Sequence, residues 1–300
     1  MSKKMSEIFT INEYQKGDYK FLEEGFLKDS KKEGLWKTFV LVEEVVVQGG
    51  VLKPGQEPKR TKTGKTLKSL YKDETYFNGE LDGPYKTFNW SVEGNHIIDE
   101  GLYKKGKKTG EWITHGRFNY REIYNYKDGK KHGSYKRYQQ GWLNSKEHST
   151  NILIEEGTFK DDKLHGNQKS YRFKNHYGTF LTSDLNYKNG KLHGYCKTYQ
   201  STFQNIENLK EEGVYEDGTK KGKWIYYKDY GNNQINCICE YDYNEGGSDF
   251  KITNFKNDGN LHSIEHYKGK LPHGSHLFYD SEGKKSETIY KDGLPIEKKY

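Results

Sequence analysis

The sequence predicts an all-β fold, an elongated, curved single-sheet meander of stacked β-hairpin repeats. First, a glycine-centred pattern recurs along the 300 residues. Second, dipeptides such as Asp128-Gly129 and Asn189-Gly190 favour type I′ hairpin turns, in which both central residues need positive φ. Third, aromatic-rich runs flank these turns without a helical period, as is typical of strands.

The composition favours a thin fold with an aromatic core over two ordinary globular domains. Hydrophobic residues make up 31% of the chain and charged residues another 31%. Such polarity is common in disordered chains, but 15% aromatic residues, including 26 tyrosines, are not. We therefore expect aromatic side chains to replace much of the usual leucine and valine core.

The repeats align on one glycine, here called the repeat glycine. Its copies are Gly34, Gly83, Gly110, Gly133, Gly166, Gly194, Gly222 and Gly274. The −7 column, seven residues earlier, contains Leu27, Tyr76, Tyr103, Tyr126, Phe159, Tyr187, Tyr215 and Tyr267. The +5 column contains Phe39, Phe88, His115, Tyr138, Tyr171, Tyr199, Tyr227 and Tyr279. The +2 column is more mixed, with Trp36, Tyr85, Trp112, Tyr135, Gln168, Cys196, Trp224 and His276. We predict that the aromatic residues of the −7 and +5 columns form structural ladders between stacked repeats.

The predicted organisation is one repeat array with two ends. Residues 1–22 form an N-terminal cap, residues 23–295 the array, and residues 296–300 the C-terminal end. The array has about eight clear copies, an insertion at 40–70 and a degenerate copy near 241–255. A single hairpin buries too little apolar surface to fold alone, so the repeats must stack.

A basic loop is predicted within the insertion. Residues 53–72 contain seven Lys or Arg against one Glu, which accounts for most of the net charge of +7. The candidate partner-binding residues are Lys53, Lys59, Arg60, Lys62, Lys65 and Lys68. Two interpretations stay open: a solvated insertion, or contact with an acidic protein face, RNA or anionic lipid.

Cysteine usage and hydropathy predict a cytoplasmic protein. Three cysteines are too few for a disulfide framework and suit a reducing compartment. The N-terminal segment has no apolar core of the kind found in signal peptides, and no apolar run reaches 18 residues.

The repeat units resemble a known family. The segments EGTFKDDKLHG, YKNGKLHGYCKTY, EGVYEDGTKKGKWIYY and YKDGKKHGSYKRY are similar to the bacterial variant of the MORN repeat. That variant occurs in proteins described as YwqK-family antitoxins, and the resemblance covers roughly residues 22–295. It implies the fold more strongly than the activity, because MORN-type repeats occur in antitoxins, scaffolds and lipid-associated proteins. The chain departs from a regular array where Ser30 and Asp162 replace the turn glycine.

Three motifs raise the question of catalysis or metal binding, and each favours a structural interpretation. His132, His165, His193 and His273 precede repeat glycines, where Glu33, Asp82, Thr109 and Lys221 also occur, which favours solvated turn residues. HSIEH at 262–266 matches an inverted zinc-peptidase pattern but is predicted to lie in a strand. TGKT at 63–66 lacks the first glycine of a phosphate-binding loop. We therefore predict no catalytic residue, no cofactor and no metal.

The leading functional hypothesis is a non-enzymatic protein that binds and neutralises a partner protein, as an antitoxin or immunity protein does. The resemblance implies a toxin or effector enzyme as that partner. A membrane-surface or assembly scaffold that binds anionic lipid is the alternative, since the loop is basic. RNA binding is the weaker alternative, because charge outside the loop is nearly balanced.

Overall fold

The regular secondary structure of the described residues is entirely β. The computed structural model describes residues 7–47, 60–89, 96–116, 120–141, 150–174, 178–201, 207–229, 235–243 and 249–300. These ranges contain 24 strands and no helix, which confirms the all-β prediction. No membrane-spanning helix is found among them. The chain divides into two compact units, residues 1–131 and 132–300. The predicted boundaries at residues 22 and 295, and the elongated, curved form, stay predictions.

The first unit is an antiparallel meander of eight strands. They are β1 (Glu7–Lys16), β2 (Tyr19–Lys28), β3 (Lys31–Val47), β4 (Arg60–Phe77), β5 (Glu80–Asn89), β6 (His96–Lys104), β7 (Lys107–Gly116) and β8 (Tyr120–Lys127). Each strand pairs with the next one along the chain. The predicted meander is thus confirmed in this unit.

The second unit is also an antiparallel meander, and the unit boundary falls near the start of β9. Its strands are β9 (Lys130–Gly141), β10 (Thr150–Lys160), β11 (Lys163–Leu164), β12 (Gly166–Lys174), β13 (Gly178–Lys188), β14 (Lys191–Leu192), β15 (Gly194–Ser201), β16 (Glu207–Glu216), β17 (Thr219–Asp229), β18 (Ile235–Tyr243), β19 (Asp249–Phe255), β20 (Leu261–Lys268), β21 (Leu271–Pro272), β22 (Gly274–Tyr279), β23 (Lys285–Lys291) and β24 (Leu294–Lys299). Pairing again follows chain order, with two-residue strands β11, β14 and β21 closing three of the hairpins.

The hairpin turns have the backbone conformation that their sequences predict. Asp128 and Gly129 have φ of 51° and 84°, and Asn189 and Gly190 have φ of 52° and 85°. Both central residues are therefore left-handed, as a type I′ turn requires. Asp161 and Asp162 adopt the same signs without a glycine, at φ 50° and 66°. Aspartate tolerates this region better than most residues, so the hairpin persists where glycine is replaced.

The mixed +2 column, rather than either ladder, is the centre of the core. Trp36, Trp112 and Trp224 are each only 2% exposed, and Cys196 is 1% exposed. The −7 column packs on the same face of the sheet, here called the aromatic face. For example, the rings of Tyr103 and Trp112 meet edge to face at 5.1 Å. Residues three apart in a strand point to opposite faces, so the +5 column lies on the other side.

Each core tryptophan packs on a glycine of the neighbouring strand. The glycine lies nine residues before the repeat glycine, and a Cβ at Gly25, Gly101 or Gly213 would overlap the ring of Trp36, Trp112 or Trp224. Trp112 Nε1 donates to the carbonyl oxygen of Leu102 at 3.0 Å, and Lys108 Nζ lies 3.9 Å from a ring centroid of Trp112. The same two contacts recur at Trp36 and Trp224.

Each core tryptophan is accompanied by the glycine, but the glycine also occurs without a tryptophan. Where Glu74, Leu185 or Glu265 occupies the glycine position, the +2 residue is Tyr85, Cys196 or His276. Gly157, by contrast, occurs with Gln168 at +2, and a Cβ there would come within 2.8 Å of Tyr135. Tryptophan therefore fills the space above the neighbouring strand only where glycine leaves room for the ring.

The predicted basic loop over 53–72 is wrong for residues 60–72, which form part of β4. This strand pairs with β3 out to Val47 opposite Arg60, so residues 42–47 and 60–68 extend the β3–β4 hairpin. We call these two segments the β3–β4 ribbon. The cause is the high strand propensity of VLVEEVVV and of the alternating threonines and lysines opposite it. Lys53 and Lys59 lie outside the described residues.

Replacing Gly101 by alanine is expected to destabilise the protein by about 2–3 kcal/mol, because the new methyl group overlaps Trp112. Urea unfolding followed by tryptophan fluorescence measures the loss. Gly116→Ala is the matched control, since a Cβ there meets nothing closer than 3.8 Å. Equal stability of the two variants would contradict the packing of Trp112 on Gly101.

Candidate functional site

A row of tyrosines crosses the second unit on the side opposite the aromatic face. Its members belong to the +5 column: Tyr138, Tyr171, Tyr199 and Tyr227. The first three lie directly opposite Leu153, Leu181 and Leu209, and all four are partly exposed. We call this surface the tyrosine face, together with the charged side chains beside it. Successive tyrosines are one hairpin apart, which is about 10 Å.

A β-bulge accompanies each of these tyrosines. The strand opposite Tyr171 carries one extra residue, Thr182, and the strand opposite Tyr199 carries Lys210 in the same way. A bulge bends its strand and redirects the side chains that follow. The acidic residue further along each bulged strand, such as Asp184 or Glu212, consequently reaches the tyrosine face.

Carboxylates hold several tyrosines of this face in place. Tyr171 Oη donates to Glu156 Oε1 at 2.8 Å, and Tyr227 Oη donates to Glu212 Oε1 at 2.6 Å. Glu212 also accepts from Tyr195 and lies 3.3 Å from Lys197 Nζ. Burial raises the pKa of Glu212, but these donors outweigh it, so the pKa lies below its ordinary value. Burial and the bond to Glu212 raise the pKa of Tyr195 to about 12.

Charges of opposite sign alternate along the same face. Lys169 pairs with Asp184 at 3.9 Å and Lys197 pairs with Glu212 at 3.3 Å. Lys223 pairs with Glu240 at 2.7 Å. Each lysine thus meets a carboxylate on the next strand. The arrangement gives a nearly neutral surface rather than a continuous positive track of the kind that binds a nucleic-acid backbone.

The two predicted ladders lie on different faces of the sheet. The −7 residues Tyr76, Tyr103, Tyr126, Phe159, Tyr187, Tyr215 and Tyr267 line the aromatic face, where Tyr215 meets Trp224 at 4.8 Å. The +5 residues lie opposite, and in the first unit Phe39 and Phe88 face Leu70 and Ile97. The sequence identified both rows of residues but did not separate the core row from the surface row.

The basic candidates on the β3–β4 ribbon are partly neutralised by acids on β3 and β2. Lys62 Nζ lies 2.6 Å from Glu43 and Lys65 Nζ lies 3.8 Å from Glu44. Lys68 Nζ lies 3.9 Å from Glu24. Arg60 begins β4. The Glu-Glu pair in VLVEEVVV was the signal for this neutralisation, and reading the segment as a loop concealed it.

Histidines before the repeat glycine cap the turn of the next hairpin. Nδ1 of His193 accepts from the backbone N–H of Asp217 at 3.4 Å, and Nδ1 of His273 accepts from that of Asp292 at 3.3 Å. Glu33 accepts the N–H of Asn78 in the same position at 2.7 Å. His132 lies 3.3 Å from Asp161 Oδ1. The sequence pattern indicates turn residues here, but their shared role as acceptors becomes apparent only in the structure.

The HSIEH segment is a strand, as predicted. It lies in β20, where Glu265 accepts from Tyr267 at 2.8 Å and from Ser263 at 2.7 Å. His266 Nδ1 lies 2.7 Å from the backbone carbonyl oxygen of Ser275 on β22. Within the described ranges, no three His, Cys, Asp or Glu side chains cluster as metal ligands.

Comparison with known proteins assigns no activity to these surfaces. Neither a scan against protein-family models nor a search of curated proteins finds a match to this chain. The case for a function therefore rests on the residues and contacts of the chain itself.

Replacing Glu212 by glutamine is expected to cost about 1–2 kcal/mol at pH 7, because three donors lose a charged acceptor. The folded-state pKa is depressed, so this contribution is present above the unfolded value of about 4.3 and is lost as pH falls through the folded value. The free energy of unfolding of wild type and of Glu212→Gln is measured with urea at pH 7 and below pH 4. The difference between the two proteins should be smaller in acid.

Glu216→Gln serves as the control for this prediction. Glu216 forms an ion pair with Lys221, but its side chain is exposed, so the substitution should change stability by less than about 0.5 kcal/mol. A Glu212→Gln effect as small as the control, or one independent of pH, would contradict the anchoring role of Glu212.

Proposed function

We propose that this chain is a non-enzymatic protein-binding repeat protein and that the tyrosine face holds a partner protein. The observation that carries the proposal is that partly exposed phenol rings are fixed before binding, as at Tyr171 and Tyr227. Tyrosine supplies a large contact area at protein interfaces for little conformational entropy. Fixing it beforehand lowers the entropic cost of association further.

The charge pattern favours a protein partner over a nucleic acid. A protein surface offers both signs of charge, which match the alternating Lys169, Asp184, Lys197 and Glu212. A phosphate backbone offers one sign only and would meet a carboxylate beside every lysine of this row. The partly neutralised ribbon gives the same preference in the first unit.

The finer proposal is an antitoxin-like or immunity-like inhibitor in the cytoplasm, whose partner is a toxin or effector enzyme. It is supported by the resemblance of the repeats to the bacterial MORN variant. The non-enzymatic character rests on the same resemblance and on the structural interpretation of the His, HSIEH and TGKT motifs.

Co-expression with the products of neighbouring genes tests the proposal. The wild-type chain should bind one such product and relieve its toxicity. The variant Tyr171→His/Tyr199→His/Tyr227→His should stay folded but bind the partner more than about tenfold more weakly. It should also no longer relieve the toxicity. Histidine is the chosen residue because His115 already occupies the +5 column in another repeat.

Tyr19→His is the matched control, since Tyr19 is an exposed tyrosine of the first unit. It should bind and protect like wild type. Undiminished binding by the triple variant would contradict the tyrosine face as the binding surface. Failure of the wild-type chain to bind or protect against any neighbour would contradict the antitoxin-like role.

A lipid-binding scaffold is a second candidate, favoured by the exposure of the ribbon lysines. The side chains of Lys62 and Lys65 are 73% and 67% exposed despite their ion pairs. Flotation with vesicles of phosphatidylserine and phosphatidylcholine is the test. Binding that salt weakens and that Lys62→Glu/Lys65→Glu abolishes would support it. No flotation of the wild-type chain would rule against it.

A further inference from the structure

An exposed apolar stripe crosses the first unit on the side opposite the aromatic face. It runs over strands β1 to β6 as three cross-strand pairs, Phe9 with Phe26, Leu35 with the polar Thr75, and Pro84 with Leu102. Phe9 is 51% exposed, Phe26 46%, Leu35 50% and Leu102 45%. Phe9 and Phe26 contact each other edge to face at 5.2 Å. Several exposed apolar side chains on one face of neighbouring strands are uncommon on a monomer and mark interaction sites.

The repeat fold does not require these apolar residues. Phe26 and Leu102 lie eight residues before a repeat glycine, where other repeats have Asn125, Thr158 and Asn186. Leu35 lies one residue after a repeat glycine, where other repeats have Ser134, Asn167 and Ser275. Polar residues therefore suffice at both positions, and the apolar stripe needs another explanation.

A row of alternating charges borders the stripe. Glu24, Lys37, Asp73, Lys86 and Glu100 lie directly opposite one another in register across strands β2 to β6. The signs therefore run negative, positive, negative, positive, negative over five neighbouring strands. Lys86 and Glu100 are 3.0 Å apart.

This charge row is complementary to itself under a two-fold rotation. If the axis runs parallel to the strands, β2 of one copy lies over β5 of the other, and β3 lies over β4. Glu24 then faces Lys86 of the second copy, and Lys37 faces Asp73 of the second copy. The two apolar stripes meet in the same arrangement, as in an isologous interface between two sheets about 10 Å apart.

We propose that the apolar stripe binds the stripe of a second copy of this chain, which forms a two-fold homodimer. Five strand spacings of about 4.8 Å make the stripe about 24 Å long. A strip of this length covers less than the roughly 800 Å² per partner of a standard interface, which predicts weak association. The dimer is accordingly concentration-dependent. It uses residues separate from the tyrosine face and does not rest on the proposed partner.

Sedimentation velocity of the full chain over a concentration series tests the homodimer. Wild type should shift from monomer to dimer as concentration rises. Phe26→Thr/Leu35→Ser/Leu102→Asn, which uses residue types found at these positions in other repeats, should stay monomeric and keep its urea unfolding midpoint. Val214→Asn is the control: Val214 belongs to the column of Phe26 and is 42% exposed, but lies in the second unit. It should dimerise like wild type.

A charge-exchange experiment tests the two-fold arrangement. Lys37→Glu alone and Asp73→Lys alone each place like charges opposite each other at both two-fold-related contacts beside the axis, so each should weaken the dimer by about tenfold or more. An equimolar mixture of the two variants restores opposite charges at both contacts and should recover dimer within about threefold of wild type.

Three outcomes would overturn the proposal. The first is a wild-type chain that stays monomeric throughout the series. This outcome overturns the homodimer even if the stripe binds a different protein. The second is a triple variant that dimerises like wild type, which would place the interface elsewhere. The third is a mixture that dimerises no better than either charge variant. This outcome would exclude the arrangement in which β3 of one copy lies over β4 of the other.

Discussion

The contact between a tryptophan ring and a glycine of the neighbouring strand is the constraint on which the rest of this fold depends. It brings the backbone within reach of the ring at Trp36, Trp112 and Trp224, and it places the indole N–H on the next carbonyl oxygen. A lysine covers each of these rings. Among the described residues these three tryptophans are the largest of the fully buried side chains.

Because the core lies on the aromatic face, the other face can vary between repeats. In the second unit it has tyrosines fixed by Glu156 and Glu212. In the first unit it has an apolar stripe that includes Phe26 and Leu102. The same repeat therefore supports two chemically different surfaces, and differences in function are expected to arise there rather than in the core.

Periodicity and turn chemistry were sufficient to predict the strands, the hairpins and the aromatic −7 and +5 columns. The core position was not recognisable, because residues as different as Trp224, Cys196 and Gln168 occupy it. Their common feature is a space shared with a residue on another strand, which becomes visible only with the register. The anchoring role of Glu212 was not recognisable either, because only the register places its carboxylate beside Tyr195 and Tyr227. The β3–β4 ribbon was missed because residues 40–70 depart from the repeat pattern used to find strands.

A double-mutant cycle tests the shared space most directly. The pair Leu185 and Cys196 occupies the positions of Gly101 and Trp112 in another repeat, so Gly101→Leu/Trp112→Cys transplants a combination that this chain already uses. The free energy of unfolding is measured for wild type, both single variants and the double variant. Leucine alone overlaps the ring and cysteine alone leaves a cavity, whereas together they fill the space. The predicted result is a coupling free energy of at least about 2 kcal/mol that favours the double variant. Additivity within about 0.5 kcal/mol would contradict the account.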